Sequence, residues 1–452
     1  MNAIYLWVVL PLMTGVLLLI LPMPRRVSLG VGAGLAISLA LAAFLLRIGQ
    51  PLPMTGRLLG DTFRILGRSL ILPDAARPWL AFWFFVLAVW LLTCLRLTVT
   101  PAFPGVALIG VSLWIAALSV EPFVYAAILI FLALLVWLPV LLPDSAALRA
   151  VQRFFTLQLL AVPFLLFIGW MLAGTETLPG QGSLALRAGL MLALGLTFSL
   201  GVFPFHTWYP ALSEAAPVIP TGFLLALLPV VGLHIAALFL QRYAWLRDAP
   251  QTVIYLLFAG RMTFVAAGVL AALETRLARL WGYALMAETG ALLLALRYFP
   301  DGGIGLFAAM LLPHGLLTWL GTFVLAHLPA DTRFSRLQGL FRRNPWLAAG
   351  FLAALGTAAG LPSLPAFPVR MVLWQWENAS LWVLIGQIGL WIAFLRTLSV
   401  FLMGEPPEKQ DVLPRGTRLL LGIGISLHFL VGLFPRFFFP LMDALTAIFP
   451  HL

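Results

Sequence analysis

Gly201-Val-Phe-Pro-Phe-His-Thr-Trp208 and Gly360-Leu-Pro-Ser-Leu-Pro-Ala-Phe-Pro-Val-Arg370 are the two stretches whose reading decides the fold. Each falls in a long apolar run. Each carries a Phe-Pro step with a polar residue two positions after the Pro, His206 after Pro204 and Arg370 after Pro368. A Pro inside a membrane span removes a helical hydrogen bond and frees carbonyls, which hydrocarbon tolerates only where protein or water satisfies them. Two broken helices are therefore expected. A pair of interrupted apolar segments at matching places in two halves is the sequence sign of an inverted transporter repeat, although plain helix kinks would read the same way.

Outward from these breaks, apolar runs bounded by charge, Pro or Gly fall near 3–22, 27–47, 78–96, 102–120, 122–143, 152–174, 184–206, 217–243, 251–273, 278–299, 304–328, 347–376, 380–403 and 417–441. A helix crosses the hydrocarbon with about 20 apolar residues, so these fourteen runs predict an all-α integral membrane protein with spans 7 and 12 broken. The composition agrees: 62% of the 452 residues are hydrophobic and 10% charged, far more apolar surface than a soluble core buries. Soluble enzyme folds are excluded. The only cysteine, Cys94, rules out an intramolecular disulfide, a thiolate zinc site and an iron–sulfur cluster within the chain. No Gly-rich nucleotide loop follows a strand, so no cofactor and no metal are expected, and any redox chemistry is assigned to partners.

The formal charge of +11 comes from 27 basic and 16 acidic residues, and the only Lys, Lys409, is read as a loop residue. These charges lie between apolar runs, where they set topology, and no nucleic-acid binding is read from them. Fourteen basic residues fall in the odd-numbered connections and ten in the even ones, five of the ten (Arg47, Arg57, Arg64, Arg68, Arg77) in the single connection 48–77. The positive-inside rule then places both termini outside. Connection 48–77 mixes Pro and Gly with an alternating stretch, Thr62 to Leu72, and is read as an outer-surface loop or small hairpin. The rest reads as one polytopic membrane domain over 1–452, with half-bundles at 102–243 and 251–403 and a last span at 417–441.

Phe203-Pro-Phe-His-Thr-Trp-Tyr-Pro210, followed by Glu214-Ala-Ala-Pro217, resembles the signature of the antiporter-like subunits shared by proton-pumping NADH:quinone oxidoreductase (complex I), membrane-bound hydrogenases and Mrp-type cation/proton antiporters. Leu277 to Gly290 is similar to that family's tenth-helix start, Pro313-His-Gly-Leu-Leu317 to its eleventh-helix His motif, Gly360 to Arg370 to its broken twelfth helix, and Gly432-Leu-Phe-Pro435 to its C-terminal end. The resemblance implies inverted five-helix repeats, half-channels joined by a midplane row of ionisable groups, and a redox module elsewhere in a multi-subunit complex in the inner membrane. It also implies neighbouring antiporter-like subunits as partners. This chain departs from the pattern. The resemblance puts the seventh-helix Lys at Ser199, the eighth-helix Lys near Pro229 or Val230 and the fifth-helix Glu near Ile130, and at the twelfth-helix Lys or Glu stands Arg370. A relay needs groups that switch charge, and Arg is always protonated.

Ionisable residues within the predicted spans are costly in hydrocarbon and are candidates for function. Glu288 stands where many relatives have His, and with His314 it is a candidate relay. A structural pair holding two helices together is the alternative. His234 is a candidate substitute for the eighth-helix Lys, against a lone His bonded to a neighbouring carbonyl. His206 opens the first break and Arg370 closes the second, with Pro204 and Pro368 as gating positions. Glu377 is read as the loop end of span 12, beside Trp374 and Trp376 as interface anchors, and Arg396 as snorkelling or paired with a carboxylate. The expected function is an antiporter-like subunit of a redox-driven proton or cation pump, itself carrying no redox chemistry. The alternatives are a non-conducting structural subunit of such a complex and an Mrp-type antiporter subunit.

Overall fold

The computed structural model describes residues 2–51, 56–65, 67–143, 145–177, 182–378, 380–404 and 413–452; Lys409 lies outside the described residues. Each of the fourteen apolar runs holds a helix. In chain order these are α1 (Tyr5–Ile20, its first turn a π-helix), α2 (Arg25–Leu45), α3 (Arg77–Cys94), α4 (Phe103–Ser119), α5 (Ala126–Leu135), α6 (Leu148–Thr177), α7 (Gly182–Leu200) and α8 (Trp208–Ala215). They continue with α9 (Val218–Arg242), α10 (Pro250–Leu273), α11 (Leu277–Arg297), α12 (Gly303–Leu325), α13 (Pro345–Ala358), α14 (Phe367–Trp376), α15 (Leu381–Leu402) and α16 (Arg415–Leu433). Spans 7 and 12 are each divided into a longer and a shorter helix, α7 with α8 and α13 with α14.

Among the described residues nine helices are long and apolar enough to cross a membrane, and four more are apolar but shorter. Helix α11 belongs to neither group. It has 21 residues but carries Arg279, Glu288 and Arg297, and it is buried along nearly its whole length. Glu288, the charge at its middle, is fully buried in protein, which is the arrangement the bilayer requires of a charge at that depth.

The chain forms two compact units, 1–143 with 158–195, and 144–157 with 196–452. In the first, α2 packs on α3 and α4 on both α1 and α5. The α1–α4 crossing is set by glycines, since a Cβ on Gly15 would lie 2.7 Å from the Gly105 carbonyl oxygen. Residues Thr62–Ile65 (β1), Arg68–Ile71 (β2) and Val120–Glu121 (β3) make a small antiparallel sheet in the order β1-β2-β3, with Phe63 opposite Leu70 and Leu70 opposite Val120. The Arg68 guanidinium lies over the Tyr125 ring. The second unit is built around α11, which packs on α8, α10 and α12, while α10 also packs on α15. Small residues again allow the approach: a Cβ on Gly290 of α11 would lie 2.7 Å from the Phe264 backbone nitrogen of α10. This unit holds every candidate site residue.

Candidate functional site

The two helix breaks are built alike. Gly201 and Gly360 both adopt the left-handed conformation, at φ 62° and 58°. At the first, the Gly201 N–H donates to Phe198 O (3.3 Å) and the Val202 N–H to Thr197 O (3.0 Å); at the second, Gly360 donates to Thr357 O and Leu361 to Gly356 O, both 2.9 Å. This paired pattern is a Schellman cap, and only Gly accepts the backbone angle at low cost. The chain then makes a turn from Val202 to Phe205, or from Leu361 to Leu364, and helix resumes seven residues after each Gly, at Trp208 and Phe367.

That register corrects the sequence pairing of the breaks. Alignment of the two Phe-Pro steps put His206 against Arg370, whereas the caps put His206 opposite Pro365, in the unwound linker, and leave Arg370 in the first turn of resumed helix α14. Pro204 lies in its linker, while Pro368 is an N-terminal residue of α14, a place where a missing N–H costs nothing.

Neighbouring side chains satisfy what the breaks expose. The Leu200 carbonyl, at the end of α7, accepts from the Tyr209 hydroxyl (3.2 Å), and the equivalent Ala359 carbonyl accepts from Gln387 Nε2 and Trp391 Nε1 of α15. The Phe203 N–H donates to Thr263 Oγ1 of α10 at 3.2 Å, and the position equivalent to Phe203 is Pro362, which has no N–H to satisfy. The same device appears at a kink. Pro229 removes the helical donor of the Leu225 carbonyl in α9, and His314 Nε2 of α12 lies 3.1 Å from the adjacent Ala226 carbonyl oxygen.

Two ion pairs, one buried and one half-buried, link helices α10 and α11 to α14 and its C-terminal end. Arg370 Nη2 donates to Glu288 Oε1 at 2.5 Å, with the Arg370 side chain 7% and the Glu288 side chain 0% exposed. The same guanidinium lies 4.8 Å from the centroid of Phe264. Seven residues, or two turns, beyond Arg370, Glu377 accepts at Oε2 from Arg261 Nε (2.6 Å) and Nη2 (2.5 Å) and at Oε1 from the Tyr298 hydroxyl (2.8 Å). Helix α14 thus presents a cation and then an anion, and its neighbours answer with the opposite signs. Glu288 Oε2, Arg370 Nε and Arg370 Nη1 are buried with no partner among the described residues, so the inner pair keeps capacity for a second bond. Of the two, only Glu288 is able to take up and release a proton.

Glu288 bonds Arg370 rather than His314, and His314 donates from Nε2 to the α9 backbone while its Nδ1 has no partner among the described residues. His234, on α9, is buried and packs edge-on against Phe449, with ring centroids 5.4 Å apart. His206 Nδ1 lies 3.2 Å from Pro204 O, and its ring stacks on Phe203. Glu377 directly follows the last residue of α14, at the loop end of span 12, and is buried there, and Arg396 finds the Ala272 carbonyl and the Phe334 ring rather than a carboxylate. Sequence reading passed over the Arg261–Glu377–Tyr298 group, although an Arg in mid-span at 261 was the available signal.

Glu288 has a neighbour of consequence. Thr289 shares a 2.9 Å hydrogen bond with the Tyr209 hydroxyl of α8. Consecutive residues of α11 thus hold a side chain from the short helix after each break. Outside the bilayer run, Glu214 at the end of α8 binds Arg276 and Arg279, and Arg279 also binds Glu274. Partial burial pushes the Glu274 carboxyl upward, but hydrogen bonds from Arg279 and from the Thr275 and Arg276 amides outweigh it and hold the group below its ordinary range.

Comparison with known proteins shows the family and the fold. Residues 144–395 match the membrane family described as NADH:quinone oxidoreductase/Mrp antiporter. The chain is 27% identical over 281 residues to the NADH-quinone oxidoreductase subunit N 3 of Streptomyces griseus and 29% identical over 291 residues to the subunit N of Chromohalobacter salexigens. Those matches cover 58% and 59% of this chain but only 50% and 58% of the relatives' own length. Among solved structures, a chain of an archaeal membrane-bound sulfane sulfur reductase is similar with a TM-score of 0.81 at 15% identity, covering 98% of this chain and 97% of that one. A chain of respiratory complex I from Thermus thermophilus gives 0.75 at 22% identity, covering 99% of both chains. A chain of the Mrp complex from Dietzia sp. gives 0.77 at 14%, covering 99% of this chain and 97% of that one. The fold is that of an all-α, multi-pass membrane protein.

Proposed function

Because the chain belongs to the NADH:quinone oxidoreductase/Mrp antiporter membrane family, we propose that it is an antiporter-like subunit of a redox-driven complex of the NADH:quinone oxidoreductase or hydrogenase type, and that it moves protons without the lysines on which the family resemblance places the relay. It carries no redox chemistry itself. Its partners are other membrane subunits, including neighbouring antiporter-like ones, and a redox module elsewhere in the complex. It lies in the inner membrane with both termini outside.

The observation that carries this reading is the junction on α11, where Glu288 holds Arg370 and Thr289 holds Tyr209. Protonation of Glu288 would neutralise the carboxylate and leave the Arg370 charge uncompensated against Phe264, so loading a proton loosens α14. Deprotonation draws α14 back. The adjacent Tyr209 bond ties α8 to the same point, so both breaks respond to one proton. His314, with Nε2 engaged on α9, offers Nδ1 as the next acceptor, and His234 and His206 extend the set towards α9 and the first break. Arg370 acts as a fixed counter-charge throughout. The Arg261–Glu377–Tyr298 group, two turns further along α14, fixes the end of the moving helix.

A second reading, a structural subunit that does not conduct, draws support from the pairing of Glu288, Arg370, Arg261 and Glu377, each of which has an opposite charge beside it. Redox-driven proton uptake by the complex in liposomes separates the two. With assembly intact, Glu288→Gln and Glu288→Gln/His314→Ala are expected to lower the number of protons moved per electron. An unchanged ratio would favour the structural subunit, and cation/proton exchange without electron flow would favour an Mrp-type role.

A further inference from the structure

One face of α16 bears a groove with no part in the proton path. Arg415, Arg418, Leu419, Gly422, Ile423, Ser426, Leu427 and Leu430 line it at successive helical turns, with Trp346 from the start of α13, and its volume is about 810 Å³. The spacing runs three or four residues at a time, so these side chains form a single stripe. Charge and polarity are segregated along it. The two arginines stand together at the N-terminal end, and the remainder is aliphatic apart from Ser426. Leu419, Ile423 and Leu430 are 66%, 44% and 46% exposed. The opposite face of α16 is the packed one, with His428 fully buried and bonded to Gly424 O.

The dimensions are those of one lipid leaflet. Arg415 to Leu430 rises about 22 Å along the helix axis, and half of a bilayer with its headgroup region is about 20–22 Å. Trp346 lies beside Gly422, with its indole ring 3.5 Å from where a Cβ would stand, an ordinary packing distance. An indole between a basic end and an aliphatic wall is suited to the boundary between headgroup and chain.

We propose that this groove binds an anionic phospholipid, its phosphate on Arg415 and Arg418 and an acyl chain along Leu419, Ile423 and Leu430. Charge complementarity selects the headgroup, because two adjacent cations above an apolar wall favour a net-negative lipid over a zwitterionic one. The site is independent of the Glu288 junction, so it stands or falls apart from the proton reading.

The test uses the assembled complex in phosphatidylcholine nanodiscs containing a photoactivatable lipid, either phosphatidylglycerol or phosphatidylcholine, with labelling read by mass spectrometry. Phosphatidylglycerol is expected to label residues 419–430 about tenfold more than phosphatidylcholine does, within what two interfacial arginines supply. Arg415→Gln/Arg418→Gln should bring the two lipids to parity, and Arg415→Lys/Arg418→Lys, which keeps the charge, should retain the preference. Equal labelling by both lipids in the wild type would overturn the proposal. So would a photoreactive residue at 423 that crosslinks to a neighbouring subunit instead of lipid.

Discussion

At the scale of single residues, the central pair is a charge problem solved inside the membrane. Either charge alone there is costly, because an unpaired charge in a buried site costs several kcal/mol. Arg370→Gln, which strands Glu288, is expected to destabilise the protein by about 3–5 kcal/mol. The double variant Glu288→Met/Arg370→Met should recover most of that loss. Thermal unfolding of Glu288→Met, Arg370→Met and the double variant measures the coupling, and additive effects would mean that the pair is not formed. Glu274 offers a pH handle in a loop. Its carboxyl is held below its ordinary range, so its stabilisation is complete above the unfolded value of about 4.3 and is lost as pH falls through the lower folded value. Glu274→Gln should therefore lower the melting temperature at neutral pH and flatten its decline on acidification, so that variant and wild type converge at low pH.

At the scale of elements, both breaks rest on a Gly in the left-handed conformation. An Ala there costs about 1–2 kcal/mol from the backbone alone. The surroundings then separate the two sites. A Cβ at Gly201 would meet the Trp208 and Tyr209 rings within 2.9 Å, whereas at Gly360 the nearest atom is the flexible Arg370 Cγ at 3.1 Å. Gly201→Ala is expected to lower the melting temperature more than Gly360→Ala, and the reverse order would mean that the α8 rings are mobile. Gln387→Leu should be mild, because Trp391 still donates to the Ala359 carbonyl.

At the scale of the whole molecule, loop charges are the only orienting information in the chain, and they predict a sidedness open to direct measurement. In a Cys94→Ser background, Phe437→Cys should react with an impermeant thiol reagent added to intact cells. Arg343→Cys should react only after permeabilisation. The opposite pattern would invert the topology and with it the direction of any proton movement.

The sequence by itself determined the class and the helices. Fourteen apolar runs in a chain so poor in charge leave no soluble alternative, and each holds a helix because a backbone in hydrocarbon must satisfy its own hydrogen bonds. The two breaks were legible too, as Pro and Gly are local in their effects. The partnerships were not. That Arg370 meets Glu288, that Arg261 meets Glu377 and that Tyr209 meets Thr289 depend on side chains 80 to 116 residues apart in the chain. Hydropathy carries no record of such pairings. The register between the breaks also needed the fold, because Phe-Pro recurs in the sequence at one spacing and the capping glycines at another. Only the backbone conformation at Gly201 and Gly360 shows which of the two the helices obey.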